Sequence, residues 1–120
     1  MWKTEFYETE NKKKPVLEFL NSLSKKMRAK AYREIKILEK YGVYLREPYA
    51  KPIQGAKNKG LFELRIKFAS DITRIFYFTY HSNTFVLLHG FVKKTDEIPP
   101  NEIEKARNRM KDYISRRKEK

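Results

Sequence analysis

Arg65, Arg74, Lys93 and Lys94 are the residues of this chain whose types and spacing best suit chemistry on a phosphodiester. Arg65 closes Leu61-Phe62-Glu63-Leu64-Arg65, Arg74 opens Arg74-Ile75-Phe76-Tyr77-Phe78, and the two lysines follow Leu87-Leu88-His89-Gly90-Phe91-Val92. All three runs read as strands, which carries the four cations into one neighbourhood. Guanidinium forks match phosphate oxygens through paired, charge-assisted hydrogen bonds. A lysine within reach can stabilise a phosphorane-like transition state or protonate a leaving 5′ oxygen. RNA brings its own nucleophile, the 2′-hydroxyl, so a protein need supply only in-line positioning, proton transfer and charge neutralisation. A positive, aromatic-lined sheet surface also suits a single-stranded RNA backbone and its splayed bases.

Each of these residues has a plainer reading. Strand arginines commonly pair with carboxylates such as Glu63 or Asp71, and a charge pair at a strand end is commonly solvated. His81 and His89, the only histidines, fall at opposite ends of one hairpin, and His89 sits in an apolar run where a hydrogen-bonded structural role is at least as well supported as a catalytic one. Tyr77, Phe78 and Tyr80 are expected in the core, with Phe91 kept as the candidate for base stacking because Val92-Lys93-Lys94 follow it. Lys105, Arg107, Arg109 and Lys111 read first as a solvated helix face and second as a salt-dependent RNA contact. Acidic residues are scattered without ligand spacing, so the expected chemistry needs no metal and no cofactor.

The elements that must position these groups follow from periodicity. Trp2, Thr4 and Phe6 alternate against Lys3, Glu5 and Tyr7, which predicts a first strand at an edge or wet on one face. Asn11 as cap and Pro15 in the first turn open a short helix carrying Val16, Phe19, Leu20 and Leu23. Ser24 caps a second helix with Met27, Ala31, Ile35, Leu38 and Tyr41 on one stripe, and Gly42 ends it. From Val43 to Gly60 the periodicity lapses into a loop carrying Lys51, Lys57 and Lys59, the last two being candidate substrate contacts.

Alternation then returns. Phe62, Leu64, Ile66 and Phe68 share one face of a strand, with Glu63, Arg65 and Lys67 on the other, which points Arg65 away from the core. Strands over Ile72 to Tyr80 and Thr84 to about Lys93 complete an antiparallel meander. After Thr95 to Pro100, a last helix aligns Ile103, Ala106, Met110 and Ile114 and runs out in a solvated basic tail over Ser115 to Lys120. The order of strand, two helices, three strands and helix is α+β, with the helices expected on one sheet face.

Composition sets the outer bounds. With 120 residues the simplest organisation is one domain over 1–120, able to bury roughly 65% of its unfolded surface. The absence of cysteine excludes disulfides and thiolate chemistry and makes a reducing cytoplasm the default expectation. No stretch fits a signal peptide or a membrane span. A net charge of +13, from 28 basic and 15 acidic residues, calls for a polyanionic partner, and nucleic acid fits better than a membrane surface because no segment has an interfacial helix's apolar face.

Taken together, Leu61-Phe62-Glu63-Leu64-Arg65, Arg74-Ile75-Phe76-Tyr77, Leu88-His89-Gly90-Phe91-Val92-Lys93-Lys94-Thr95, Pro99 and Glu102-Ile103-Glu104-Lys105-Ala106 resemble the phage-related HigB toxins of the RelE/ParE superfamily. The resemblance covers nearly the whole chain in order and length. It implies a RelE-like α+β toxin of a type II toxin–antitoxin system that cuts messenger RNA on translating ribosomes, held by a HigA-like helix-turn-helix antitoxin, with DNA engaged only through that antitoxin. It also implies that Arg65 and Arg74 grip phosphate, that Lys93 and Lys94 are the basic residues at the end of the last strand, and that His89 and Phe91 are neighbours of the substrate. Two alternatives remain open: a ParE-like gyrase poison, and a non-catalytic basic nucleic-acid-binding module.

Overall fold

The computed structural model describes residues 2–81, 83–93, 95 and 97–118. The chain forms β1 (Lys3–Phe6), α1 (Pro15–Ser22), α2 (Lys25–Tyr41), β2 (Ala50–Pro52), β3 (Phe62–Phe68), β4 (Asp71–Tyr80), β5 (Thr84–Lys93) and α3 (Pro100–Lys118). The strands make one mixed sheet in the order β1-β5-β4-β3-β2. Among the described residues only β1 pairs in parallel, against β5, and it lies at the predicted edge. Among the described residues no helix is long and apolar enough to cross a membrane.

The α+β class stands, but helices cover both faces of the sheet rather than one. Val16 and Leu20 of α1 and Met27, Ala31, Ile35 and Leu38 of α2 pack with Leu64, Ile66, Ile75, Tyr77, Phe85 and Leu87. The other face packs Ala106 and Tyr113 of α3 with Phe76, Phe78, Val86 and Leu88. Each of the larger apolar side chains contributes about 1.5–3 kcal/mol when fully buried. A strand buried on both sides needs apolar residues at successive positions, which is what β4 and β5 supply between Ile75 and Phe78 and between Phe85 and Leu88.

Local chemistry explains most boundaries. Ser24 caps α2, its hydroxyl accepting from the Met27 N–H at 3.3 Å, and Gly42 ends the helix at φ +57°. An added Cβ at Gly42 would lie 2.1 Å from the Trp2 ring, so glycine serves both the turn and the close approach. In α1, Lys14 rather than Asn11 holds the cap position, without a side-chain bond, and Pro15 takes the first turn. The Tyr41 side chain, expected on the α2 stripe, is exposed, and the buried stripe ends at Leu38.

The segment expected as a loop, 43–60, is more ordered than its composition suggests. It holds two short 3-10 turns, Gly42–Tyr44 and Ala56–Asn58, on either side of β2. Lone side chains anchor it: Asn58 donates to the Gln54 carbonyl at 2.7 Å and accepts from Arg107 Nη1 at 3.0 Å. Within the described residues, the expected solvated tail over Ser115 to Lys120 is fastened at its start, and its last two residues lie outside them. Arg116 holds Asp112 at 2.8 Å and reaches the Glu8 carbonyl, while Arg117 contacts Glu5 at 3.1 Å.

Candidate functional site at the β3–β4–β5 sheet end

Strand register places the candidate cations in rows. Arg65 stands opposite Arg74, Arg74 opposite Phe91, and Ile72 opposite both Lys67 and Lys93. Directly opposed residues share a face, so Lys67, Ile72 and Lys93 form one row and Arg65, Arg74 and Phe91 the next. A third row, Glu63, Phe76 and His89, leads under α3. Lys94 lies outside the described residues.

Like charges directly opposite each other are destabilising, and one carboxylate resolves the conflict at Arg65 and Arg74. Glu63 Oε1 lies 2.8 Å from Arg74 Nε and 3.5 Å from Arg65 Nε. Arg74 also donates through Nη2 to the Thr95 carbonyl at 2.9 Å, which ties β4 to the connection between β5 and α3. Arg74 and Glu63 are buried to 1% side-chain exposure each. The carboxylate-paired alternative weighed for strand arginines is therefore what Arg74 adopts, and the Glu63 side of β3 is a second core rather than a wet face.

Accessible positive charge is carried by other members of the rows. Arg65 keeps 23% of its side chain exposed, and Lys67 and Lys93 are exposed. Lys30, reaching over from α2, donates to the Lys67 carbonyl. Lys57 and Lys59 are also exposed but precede β3, at the end opposite Lys67 and Lys93, so the fold does not bring them into this cluster.

Both ring nitrogens of His89 are engaged. Nε2 lies 3.0 Å from Glu102 Oε1, and Nδ1 lies 3.1 Å from Arg109 Nη1. A guanidinium can only donate, so Nδ1 accepts and the ring proton sits on Nε2, facing Glu102. Burial holds this imidazole below its ordinary pKa and the Arg109 charge adds to that, while the hydrogen bond to Glu102 opposes it. A neutral histidine clamped between two α3 residues is a latch for the helix. Its orientation depends on a β-bulge: the register shift between Phe76 and Tyr77 leaves Leu88 as an extra residue, so that both Leu88 and His89 turn toward α3.

Phe91 does not present an exposed ring. It is 7% exposed, edge-on to Phe76 with centroids 5.4 Å apart and stacked on His89 at 5.8 Å. Arg109 likewise leaves the expected solvated helix face, donating to the Leu88 carbonyl at 2.8 Å. Among the described residues no group of three or more His, Asp or Glu side chains is placed to hold a metal ion.

The chemical capacity of the site is thus electrostatic: a ridge of Lys67, Arg65 and Lys93 over a rigid, internally neutralised floor of Glu63 and Arg74. The sequence offered Glu63 as a carboxylate partner for a strand arginine, but not that one of its oxygens lies between Arg65 and Arg74 inside a core. Lys67 was not among the candidate cations; its place two residues after Arg65, on the same face of β3, was the available signal. No match to this chain is found among the curated proteins. The model of one family, described as phage derived protein Gp49-like (DUF891), matches residues 18–111. That span runs from α1 across the whole cation cluster into α3, and the chain belongs to this Gp49-like family, which is RelE/toxin-like.

Proposed function

We propose that this protein is the toxin of a type II toxin–antitoxin pair and an endoribonuclease that cuts messenger RNA on the ribosome by a metal-independent route. The observation that carries the reading is the ridge of Lys67, Arg65 and Lys93 at one sheet end, with Arg65 steadied by the buried Glu63–Arg74 pair. Membership of a phage-derived, toxin-like family supports it. In this reading the substrate's 2′-hydroxyl gives up its proton to solvent water as it attacks the adjacent phosphorus, the P–O5′ bond breaks, and a cyclic phosphate and a 5′-hydroxyl form. Arg65 holds a non-bridging oxygen as charge builds there, and Lys93 donates a proton to the departing O5′, regaining one from solvent afterwards. Arg74 is a positioning residue, acting through Glu63 on Arg65. His89 is committed to α3, so the mechanism draws on charge and alignment rather than on a histidine base.

The same reading assigns a cytoplasmic setting and a HigA-like helix-turn-helix antitoxin whose acidic surface complements the +13 charge and steers association. Its test is a pair of substitutions at accessible positions. Arg65→Ala and Lys93→Ala are each expected to slow cleavage about a hundredfold or more, the usual loss on removing one transition-state donor, and to relieve growth arrest on induction. Variants that fold, bind antitoxin and still arrest growth like the parent would overturn the assignment.

A further inference from the structure

Beyond Ala50, where the β2 pairing ends, a cleft of about 210 Å³ opens beside the cation ridge, lined by Lys30, Glu34, Pro48, Tyr49, Arg65 and Lys67. Its position is fixed by the backbone, since the Arg65 N–H donates to the Tyr49 carbonyl at 2.8 Å. The cleft is smaller than the roughly 300–1,000 Å³ of pockets for drug-sized ligands, which suits one flat ring system rather than a whole nucleotide.

Glu34 gives the cleft its chemistry. It is 8% exposed, and its Oε2 is buried without a hydrogen-bond partner among the described residues. A buried carboxylate oxygen with no donor is costly to the fold. The nearby Lys30 ammonium does not relieve it, donating instead to the Lys67 carbonyl. Tyr49, also in the lining, keeps 49% of its surface exposed. A buried acceptor, a half-exposed aromatic ring and cations in one lining match a base carrying N–H donors and followed by phosphate.

We propose that this cleft is a guanine-reading subsite for the nucleotide beside the scissile phosphate, an inference that rests on the RNA-cutting reading above. The Glu34 carboxylate accepts from guanine N1–H and N2–H, Tyr49 stacks on the ring, and Lys30, Lys67 and Arg65 face the flanking phosphates. Guanine alone presents two adjacent donors on its Watson–Crick edge. Adenine, cytosine and uracil each set at least one acceptor lone pair against the carboxylate.

Binding tests this without any need for cleavage. The four nucleoside 3′-monophosphates are titrated into the intact protein and followed by calorimetry and backbone NMR. Guanosine 3′-monophosphate is expected to bind about ten- to a hundredfold more tightly than the others, the usual worth of a bidentate base contact. Glu34→Gln should abolish that preference, and Tyr49→Ala, at an exposed position, should weaken all four ligands. Equal binding of the four nucleotides, no binding of any, a preference that survives Glu34→Gln, or unchanged affinity in Tyr49→Ala would each overturn the subsite. The two readings fail separately: guanine preference in a protein that leaves messages intact sinks the nuclease, and cleavage with no base preference at the cut sinks the subsite.

Discussion

Replacing Arg74 by Met tests whether this arginine belongs to the floor of the site or to its surface. The Arg74 Nε to Glu63 Oε1 distance is 2.8 Å and both side chains are 1% exposed, so the substitution leaves a carboxylate buried beneath α3 with its principal partner gone. Breaking a buried pair from one side costs about 3–5 kcal/mol. The hydrogen bond from Arg74 to the Thr95 carbonyl at 2.9 Å is lost as well. For a chain of this size each kcal/mol moves the melting temperature by about 3–6 °C, so Arg74→Met and Glu63→Leu are each expected to lower it by about 9–30 °C. Replacing both together swaps an ion pair for apolar volume, which is near neutral in other cores. The looser 3.5 Å contact of Arg65 with Glu63 is partly exposed and adds less than about 1 kcal/mol. Urea denaturation of the parent, both single variants and the double variant closes the cycle, with an expected coupling of about 3 kcal/mol or more. Single variants that each lose under about 1 kcal/mol, or a double variant that loses the sum of the two, would refute the buried-pair reasoning.

Other consequences follow from the packing around the ridge. An added Cβ at Gly90 would lie 2.5 Å from the Phe19 ring of α1, so Gly90→Ala should destabilise the fold by about 1–3 kcal/mol; an unchanged urea midpoint would contradict the close approach. His89 has its folded pKa held below the ordinary value. Its contribution to stability is therefore complete above the unfolded value of about 6.5 and falls as pH drops through the folded one. Melting at about pH 5 and about pH 7.5 should show that loss in the parent and a smaller one in His89→Gln. Imidazole nitrogen shifts should show the Nε2–H tautomer, and an Nδ1–H ring would break the latch to Arg109.

What the sequence disclosed depended on how plainly each residue's environment follows from its neighbours. The α2 stripe, the Ser24 cap, the Gly42 stop and the β3, β4 and β5 runs were all legible, since each is a local pattern. The 43–60 segment was not, because β2 is only three residues long and is held by pairing to β3 and by Asn58 contacts distant in sequence. Alternation in β3 gave the right faces and the wrong environment: Glu63 and Arg65 do point opposite to Leu64, but α3 covers that side. A charged residue is expected at a wet face, and nothing local announces that Glu63 and Arg74 compensate each other inside a core. The uninterrupted apolar runs of β4 and β5 were the clue that both faces are covered. The bulge at Leu88 could not be read at all, and it decides that His89 serves α3.

The central claim is that the ridge cuts messages on the ribosome. Its most direct test adds the purified protein to programmed ribosomes and, separately, to the same naked message, with and without EDTA, and maps RNA ends. Ribosomes assembled before chelation must be shown to remain intact. The account predicts new ends within the coding sequence on ribosomes only, undiminished by EDTA in intact assemblies and lost with Arg65→Ala. Intact messages under active translation, with arrested gyrase supercoiling or simple salt-dependent binding instead, would contradict it.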